Sequence, residues 1–339
     1  MLVVQEARRF LYSKVGADAA GGDDGADVIQ GLAEGQKWLP SRFFYDAQGS
    51  RLFDAICDLP EYYPTRTEES ILVRHADDIA AKTGPVDIVE LGSGSARKTR
   101  LLLTAYSERG ALEPGAALQY VPIDVSEDAL RNSGRDLLHH YRNLRIHGFS
   151  GTYEQGLAAL PPRLAARRMV IFLGSSLGNF HPAGRAELFA QVSAALSPGD
   201  FLLLGVDRHK DKAVLEPAYN DSQGVTAAFN LNILRHLNRL YDGNFVLDRF
   251  RHQAFYNEAA RRIEMHLISQ RPQTVQLKDL GIAATFTLGE TVRTEVSYKF
   301  ELPALLNEVR PHGFSLMGSW TDPNHWFAAT LFTLGGATG

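Results

Sequence analysis

The sequence predicts an α/β fold built on a parallel β-sheet, with a second lobe inserted into it. Between about residues 68 and 208, short apolar runs alternate with longer segments of helical character, a pattern typical of a parallel sheet covered on both faces. The runs are VDIVEL (86–91), LQYVPI (118–123), MVIFL (169–173) and FLLLGV (201–206). Each run ends at a glycine or a polar residue, where open α/β sheets bind their ligands.

The pattern changes after Asp207, and this change predicts the inserted lobe. Residues 209–270 look helical and charged, and NLNILRHLNRLY (230–241) is the clearest amphipathic stretch. The elements predicted further along are RRIEMHLISQ (261–270) and TVRTEVSYKF (291–300) as strands, HGFSLMGSWTD (312–322) as a helix-to-strand passage, and WFAATLFTL (326–334) as a closing strand.

These patterns divide the chain into three predicted parts. Residues 1–26 contain the small, acidic, glycine-rich stretch GADAAGGDDGA and are expected to form a flexible lead-in. The inserted lobe, of α+β type, is expected from residues 27–67 and 209–299. The sheet domain is expected from residues 68–208 and 300–339.

Composition favours a small-molecule ligand. The chain has 339 residues, 45% of them hydrophobic, a formal net charge of −4 and a pI near 6.3, so it carries no global basic field of the kind that binds nucleic acids. The single cysteine, Cys57, cannot form an intramolecular disulfide, and neither CxxC nor HExxH occurs, which predicts a metal-free protein. Without a signal-peptide pattern or an 18-residue apolar run, we expect a cytoplasmic chain that does not enter membranes.

The stretch VELGSGSARKTR resembles a dinucleotide-binding loop that lacks its third glycine. Gly92 and Gly94 permit a tight turn and close backbone approach, whereas Arg97 stands where a glycine would let a helix pack for pyrophosphate contact. The preceding acid, Glu90, repels anions, and Asp124 ends the next run, where an acid accepts hydrogen bonds from ribose. This pattern favours S-adenosylmethionine (SAM), which carries a sulfonium and no diphosphate. The alternative is an ordinary strand-to-helix turn with Asp124 as an N-cap.

A second glycine-rich segment, VIFLGSSLGNFHP (170–182), permits a different interpretation. It contains the GxSxG pattern of a hydrolase nucleophile elbow, centred on Ser176, between a strand and a predicted helix. No HGGG-type oxyanion segment is present, and a serine hydrolase would not explain the earlier glycine loop. The segment can instead form the rim of an adenosine site, with Asn179 presenting its amide to a polar substrate.

Six segments, taken in order, resemble the histidine-specific Nα-methyltransferases of ergothioneine biosynthesis, which form hercynine. They are FFYDAQGSRLFDAICDLPEYYPTRTE (43–68), VELGSGSARKT (89–99), YVPIDVS (120–126), FLGSSLGN (172–179), AYND (218–221) and TEVSYKF (294–300). The similarity runs from about residue 37 to the last predicted strand, and PEYYPTR and the TEVS strand are its most specific parts. It implies a Rossmann-like SAM domain and a substrate lobe built from the N-terminal segment and the insertion.

The resemblance implies a set of SAM contacts near the predicted strand ends. The set comprises Gly92, Lys98, Asp124, Thr152, Tyr153 and Gly174. Lys98 is suited to the methionine carboxylate and Asp124 to the ribose. The family has Gly-Asp-Phe at the adenine site, with the Asp on the adenine amino group, whereas this chain has Gly151, Thr152 and Tyr153. Thr152, a neighbouring group or a water molecule must therefore serve the adenine.

For the substrate, the resemblance implies two groups of residues. The amino-acid tail is implied to contact Tyr62, Asn179 and Tyr219, which are also the expected catalytic residues because they position the amine. The residues implied around the imidazole are Glu295 and Ser297, which hold the ring, Met265, which packs beside it, and Tyr45, a mobile tyrosine near the pocket.

The strand TEVSYKF supports the imidazole contact on physical grounds. Glu295 and Ser297 are two residues apart, so a strand points both to one face, together with Lys299. A carboxylate and a hydroxyl can take the two N–H edges of an imidazole. A ligand without those groups would leave a buried carboxylate unpaired, so such a pair discriminates strongly. A solvated strand face is the alternative.

Methyl transfer needs a neutral amine aimed along the S–C bond of the sulfonium. The nearby sulfonium and partial burial favour the deprotonated amine, so no strong catalytic base is expected. We expect a monomer that acts on L-histidine and its methylated forms, up to the trimethylated product. Two alternatives stay open: a methyltransferase for another aromatic amino acid such as tryptophan, and a SAM- or histidine-binding sensor without turnover.

Overall fold

A computed structural model describes residues 9–16, 25–108 and 117–335, and these form two compact units. One unit contains the described residues of Met1–Ala17, Thr67–Arg208 and Phe300–Gly339, and is called the sheet unit below. The other contains those of Asp18–Arg66 and His209–Lys299, and is called the insertion unit. None of the helices in the described segments is both long enough and apolar enough to cross a membrane.

The described residues form fourteen strands and ten α-helices. The strands are β1 (Phe10–Lys14), β2 (Lys37–Trp38), β3 (Val86–Leu91), β4 (Leu118–Asp124), β5 (Leu144–Ser150), β6 (Arg167–Phe172), β7 (Phe201–Asp207), β8 (Phe250–Asn257), β9 (Arg262–Ser269), β10 (Gln273–Leu277), β11 (Ile282–Phe286), β12 (Thr291–Tyr298), β13 (Phe314–Thr321) and β14 (Phe327–Leu334). The helices are α1 (Ala26–Ala33), α2 (Ala47–Cys57), α3 (Tyr63–Thr83), α4 (Thr99–Glu108), α5 (Glu127–His140), α6 (Tyr153–Ala158), α7 (Pro182–Ala195), α8 (Lys212–Leu215), α9 (Val225–Leu240) and α10 (Leu302–Val309).

The sheet unit is built on eight strands in the order β1-β5-β4-β3-β6-β7-β14-β13. The first six strands in this order run parallel to one another. Strand β14 is antiparallel to both β7 and β13. The central strands β3 and β7 are buried along their whole length, as expected for continuous apolar runs with both faces covered. The predicted α/β fold with a large, mainly parallel sheet is confirmed.

The insertion unit has a four-stranded sheet in the order β2-β12-β9-β8 and a separate β10-β11 pair. Strand β9 is antiparallel to both of its neighbours, β12 and β8. The amphipathic stretch predicted at 230–241 lies almost entirely in α9, which packs on α2 and β8. Asp46 is the N-cap of helix α2. Its carboxylate accepts from the backbone N–H of Gly49 at 2.7 Å and from the amide of Asn232 on α9 at 2.8 Å. This buried cap fixes the segment that carries Tyr45.

The prediction of a flexible lead-in is wrong for residues 10–14, which form the edge strand β1. Phe10 pairs with Ile146 and Lys14 with Ser150 in a parallel ladder with β5. The stretch FLYSK has apolar and aromatic side chains that favour a strand, but the glycine-rich residues after it dominated the prediction. Most of GADAAGGDDGA lies outside the described residues.

The helix-to-strand passage predicted at 312–322 is confirmed. A 3₁₀ helix at Arg310–His312 is followed by strand β13, in which a bulge lies between Leu316 and Gly318. One further element differs from the prediction. Residues 250–257, expected to be helical, form strand β8. His252 lies on the inward side of this strand and donates to the carbonyl of Tyr219 at 2.9 Å. A polar residue at an inward position interrupts the alternation of apolar and polar residues by which a strand is recognised in a sequence.

Candidate functional site

The loop between β3 and α4 is shaped by three left-handed residues, Gly92 (φ 71°), Gly94 (φ 47°) and Ala96 (φ 54°). The N–H of Gly92 donates to the carbonyl of Ile123 at 2.8 Å, which ties the loop to the end of β4. A Cβ added to Gly92 would lie 2.9 Å from the hydroxyl oxygen of Tyr153. Glycine is therefore required at 92 by conformation and by space. Because α4 begins only at Thr99, a third glycine at position 97 is not needed for close helix packing.

Asp124, at the end of β4, has a carboxylate that is oriented by two backbone N–H groups. Oδ1 accepts from the N–H of Ser126 and Oδ2 from the N–H of Gly94, both at 2.9 Å. The side chain is partly exposed, and each oxygen keeps a second lone pair for an outside donor. The residue therefore fits a vicinal diol such as ribose.

Glu90 is a buried carboxyl beneath this loop. It accepts from the hydroxyl of Thr99 at 2.5 Å and from the hydroxyl of Tyr120. Burial raises the pKa of Glu90 to about 7, against the lowering effect of these hydrogen bonds and of Lys98. Both oxygens of Glu90 therefore accept hydrogen bonds within the unit. They connect Thr99, the first residue of α4, to Tyr120 on β4, and so stabilise the conformation of the loop.

Lys98 is held by a buried partner that sequence reasoning did not single out. Glu68 on α3 is fully buried; it accepts from the ammonium of Lys98 at 2.5 Å and from the N–H of Gly174 at 2.9 Å. Gly174 follows β6 with φ 79°, and a Cβ there would lie 3.1 Å from Lys98 Nζ. This geometry brings two predicted SAM contacts, Lys98 and Gly174, together. An ammonium has three donors, so Lys98 can bind a second carboxylate while bonded to Glu68.

Thr152 and Tyr153 follow β5. Thr152 is the exposed N-cap of α6 and forms a capping box with Gln155, accepting from its N–H at 3.3 Å while its own N–H donates to the Gln155 side chain at 3.0 Å. Tyr153 packs edge-on against Phe172 at 5.4 Å between ring centroids, and burial raises the pKa of its hydroxyl, which stays a neutral donor. The cap leaves the Thr152 hydroxyl proton available.

All the predicted SAM contacts therefore lie at one edge of the sheet. They follow β5, β4, β3 and β6, which are neighbours in that order, and the carboxyl ends of parallel strands share one edge. The loops after these four adjacent strands supply a carboxylate, an ammonium, a tyrosine hydroxyl and the backbone of glycines.

The nucleophile-elbow interpretation of Ser176 is wrong. In the described residues its hydroxyl donates to the carbonyl of Leu173 at 3.1 Å and makes no hydrogen bond to a histidine. Asn179 ends the 3₁₀ turn Ser176–Asn179, and the N-cap of the next helix is His181, so Asn179 is not a cap. It is partly exposed, and its amide forms no hydrogen bond with any described side chain or backbone group, so the amide is available to a ligand.

In the insertion unit, Ser297 near the end of β12 contacts Lys299, the first residue after Tyr298 ends the strand. Lys299 is buried, and its ammonium donates to the hydroxyl oxygen of Ser297 at 2.9 Å and to that of Tyr219 at 3.1 Å. The Tyr219 hydroxyl in turn donates to Ser297 at 3.0 Å. Two predicted substrate contacts from distant parts of the sequence, Tyr219 and Ser297, are thus joined through a lysine.

Glu295 stands two residues before Ser297 and opposite Met265 of β9. Burial raises the pKa of Glu295 to about 7, and the cation of Lys299 opposes this rise. Within the described residues, the carboxylate has no hydrogen-bond or ion-pair partner, although it keeps some accessible surface. An unpaired carboxylate surrounded by protein is costly unless a ligand supplies donors.

A row of aromatic rings extends from Tyr219, the residue that contacts Ser297 of β12. Tyr62 packs edge-on against Tyr219 at 6.1 Å and against Phe53 at 6.3 Å, and Phe53 meets Tyr45 at 5.8 Å, all between ring centroids. Burial raises the pKa of Tyr62 well above its usual value, so the phenol is neutral. Tyr45 is 43% exposed at the end of this row of rings. Neutral ring faces of this kind stabilise alkylated ammonium groups.

A hydrogen-bond chain that sequence reasoning missed holds Tyr219 and β12 in place. His252 binds the carbonyl of Tyr219 through Nε2 at 2.9 Å and the amide of Asn230 through Nδ1 at 2.8 Å. Asn230 also accepts from the hydroxyl of Thr294 at 2.6 Å. Burial lowers the pKa of His252, so a neutral ring donates at one nitrogen and accepts at the other. Asn230 within an amphipathic helix was the available signal, because a polar residue on an apolar face needs a partner.

Comparison with known proteins agrees with this geometry. A family model described as histidine-specific methyltransferase, SAM-dependent, matches residues 24–334. A histidine N-alpha-methyltransferase of Mycolicibacterium smegmatis is 41% identical over 321 residues, which cover 95% of this chain and 98% of that protein. One of Mycobacterium tuberculosis is 40% identical, covering 90% and 93%. An L-tryptophan methyltransferase of Psilocybe serbica is 29% identical, covering 88% and 89%.

Proposed function

Because the chain belongs to the family of SAM-dependent, histidine-specific methyltransferases, we propose that it methylates the α-amino nitrogen of L-histidine. The product after three transfers is N,N,N-trimethylhistidine (hercynine), an intermediate of ergothioneine biosynthesis. One observation carries the choice of substrate: the unpaired carboxylate of Glu295 lies on β12 two residues from the hydroxyl of Ser297. Together they supply the polar contacts that an imidazole requires.

The sheet unit is proposed to bind SAM, which supplies an electrophilic methyl group on a sulfonium. Asp124 would accept from the ribose hydroxyls, and Lys98 would donate to the methionine carboxylate beside Gly174. Tyr153 would cover the ligand next to Gly92, and Thr152 would offer its free hydroxyl proton to the adenine. The oriented carboxylate of Asp124 supports this assignment, since both oxygens are fixed by backbone donors and still have room for two more.

The insertion unit is proposed to bind histidine. Glu295 and Ser297 would take the ring, with Met265 packed beside it, and Tyr62 and Tyr219 would line the path of the amine. The amide of Asn179, which is uncommitted among the described residues, would bind the amino-acid tail. Tyr45, exposed at the end of the aromatic row, would cover the substrate.

The chain's own residues are proposed to act by positioning. An amine must be neutral and aimed at the methyl carbon to react, and an oriented pair of reactants gains most of the acceleration from that alignment. Tyr62 has a neutral hydroxyl and an electron-rich ring face, which tolerate the growing positive charge on nitrogen without needing a counter-ion. No carboxylate base is required, because the amine can lose its proton to water before it is aligned.

The experiment is a product assay by mass spectrometry. Purified protein is incubated with excess SAM and equal amounts of histidine and tryptophan. We expect mono-, di- and trimethylhistidine and no methylated tryptophan. Tight SAM binding without any methylated product would refute the proposal and favour a sensor, and methyltryptophan as the main product would favour the other aromatic substrate.

Two further properties are proposed with this activity. We propose that the chain acts as a monomer in the cytoplasm, on small molecules and without nucleic acid. Its slight net negative charge and the absence of a membrane-spanning helix among the described residues support this setting. Light scattering coupled to gel filtration tests the monomer: a mass near 37.4 kDa supports it, and twice that mass contradicts it.

A further inference from the structure

The hydroxyl oxygen of Ser297 already accepts two hydrogen bonds inside the insertion unit. The Tyr219 hydroxyl donates to it at 3.0 Å and the Lys299 ammonium at 2.9 Å. A serine oxygen has two lone pairs, so both are used. Only the hydroxyl proton of Ser297 is then left to bind a ligand, so Ser297 can act toward a ligand only as a hydrogen-bond donor.

Glu295 has the opposite requirement. An ionised carboxylate only accepts, and this one has no partner among the described residues. A ligand that satisfies both groups must present one N–H and one bare nitrogen. A neutral imidazole has one of each, whereas an imidazolium has two N–H groups, one of which would face the Ser297 proton.

We propose that Lys299 is a specificity-determining positioning residue, which commits Ser297 to donate and so makes the site select the neutral imidazole of histidine. This inference rests on the proposed function, since it concerns the ring that Glu295 and Ser297 would hold. Lys299 acts through Ser297, Tyr219 and the charge of Glu295, without a role on the reacting nitrogen.

The charges around the site agree with a neutral ring. Two titratable groups interact electrostatically with Glu295, namely Lys299, just after the end of β12, and the phenol of Tyr62. Tyr219 packs against Tyr62. Lys299 and ionised Glu295 carry opposite charges, and burial raises the pKa of Tyr62 so that its phenol is neutral. A second cation in the form of imidazolium would leave a net positive charge beside a buried ammonium, which a low-dielectric site disfavours.

The first test is the pH dependence of binding by the wild-type protein. Hercynine is the probe, in the presence of S-adenosylhomocysteine, because its trimethylated nitrogen does not titrate. Calorimetric titrations from pH 5.5 to 8.5 are expected to show affinity that rises until Glu295 and the ring are both deprotonated, and then stays level. Affinity that peaks near neutrality and falls about tenfold per pH unit above it would overturn the proposal, because that is the behaviour of bound imidazolium.

The second test uses variants. Lys299→Met removes the cation that lowers the pKa of Glu295, so the midpoint of the affinity profile should move upward by about one pH unit. Lys299→Arg keeps the charge and donors and should return the midpoint toward that of the wild type. An unchanged midpoint in a folded Lys299→Met protein would overturn the proposal.

Lys210→Met is the matched control. Lys210 belongs to the same unit and donates to the hydroxyl of Tyr63 at 2.8 Å, with its ammonium 4.5 Å from the ring centroid, much as Lys299 meets Tyr219 at 4.9 Å. We expect its pH profile to equal that of the wild type, and a shift as large as that of Lys299→Met would overturn a specific role for Lys299. If Lys299→Met does not fold, the wild-type profile and Lys299→Arg decide the question.

Failure of this inference and failure of the proposed function give different results. A wild-type protein that makes methylated histidine but binds imidazolium refutes only the inference about Lys299. A protein that makes no methylated histidine refutes the proposed function, whatever its pH profile.

Discussion

The loops of the sheet unit that we propose to bind SAM and strand β12 of the insertion unit differ in how their charged groups are satisfied. Asp124 and Lys98 already have protein partners, in the N–H groups of Gly94 and Ser126 and in the buried carboxylate of Glu68. Glu295 has none among the described residues. We infer that the sheet edge is preorganised before any ligand binds, whereas the proposed histidine site leaves the carboxylate of Glu295 for the substrate to pair. A group of the second kind contributes to specificity at a cost in stability.

The largest expected effect is on activity at Glu295. Glu295→Gln keeps the shape of the side chain but replaces an acceptor-only carboxylate, so kcat/KM for histidine should fall about 10³-fold, or about 4 kcal/mol. SAM affinity, measured by calorimetry, should stay unchanged. A loss of SAM affinity equal to the loss of activity would contradict the separate roles of the two regions.

The next effect concerns stability in the preorganised region. Glu68→Gln removes a fully buried charge that binds Lys98 and Gly174, and should lower the free energy of unfolding by about 3 kcal/mol in urea titrations. Glu69→Gln is the matched control. Its partner Arg97 has a side chain that is 55% exposed, so we expect less than about 1 kcal/mol. Equal effects at the two positions would contradict a special role for the buried pair.

A smaller effect is expected on SAM binding at Asp124. Asp124→Ala removes the proposed ribose acceptor and the partner of Gly94, which should weaken SAM binding about 30-fold, or about 2 kcal/mol. Asp128→Ala, an exposed acid one turn further on, serves as the control and should bind SAM as the wild type does. An Asp124→Ala protein with normal SAM affinity would exclude this carboxylate from the cofactor site.

An effect of similar size to that at Asp124 is expected in the pH dependence of stability. Burial raises the pKa of Glu295 from 4.5 to about 7, so the folded chain holds this proton more tightly than the unfolded chain. The favourable contribution of the protonated group is therefore lost as pH rises through this window. The free energy of unfolding of Glu295→Gln minus that of the wild type should grow by about 2 kcal/mol between pH 5 and 8. A difference that does not depend on pH would show that Glu295 is already compensated.

Strands could be predicted from the sequence where every residue of the strand is buried. In β3 all six residues are buried, because both faces of the sheet are covered, and the strand therefore appears in the sequence as one continuous, mainly apolar run. Strand β8 was missed because inward-facing His252 interrupts the alternation, and β1 because its short apolar run precedes a glycine-rich stretch. Local pattern carries no information about the partner that makes a polar inward residue acceptable.

The candidate sites show the same limit. The spacing of Glu295 and Ser297 predicted side chains on one face, since a strand has a period of two. The hydrogen bond from Tyr219 to Ser297 joins residues 78 positions apart, and the hydrogen bond from Gly174 to Glu68 joins residues 106 positions apart. Such contacts follow from tertiary packing, so they could be recognised only in the folded chain.

The most direct test of the central claim, that Glu295 recognises the imidazole of the substrate, is the ratio of kcat/KM for histidine to that for tryptophan in wild type and Glu295→Gln. We predict that the wild type prefers histidine by at least about 10³-fold and that the variant loses most of this preference. A Glu295→Gln enzyme that still prefers histidine as strongly as the wild type would contradict the account.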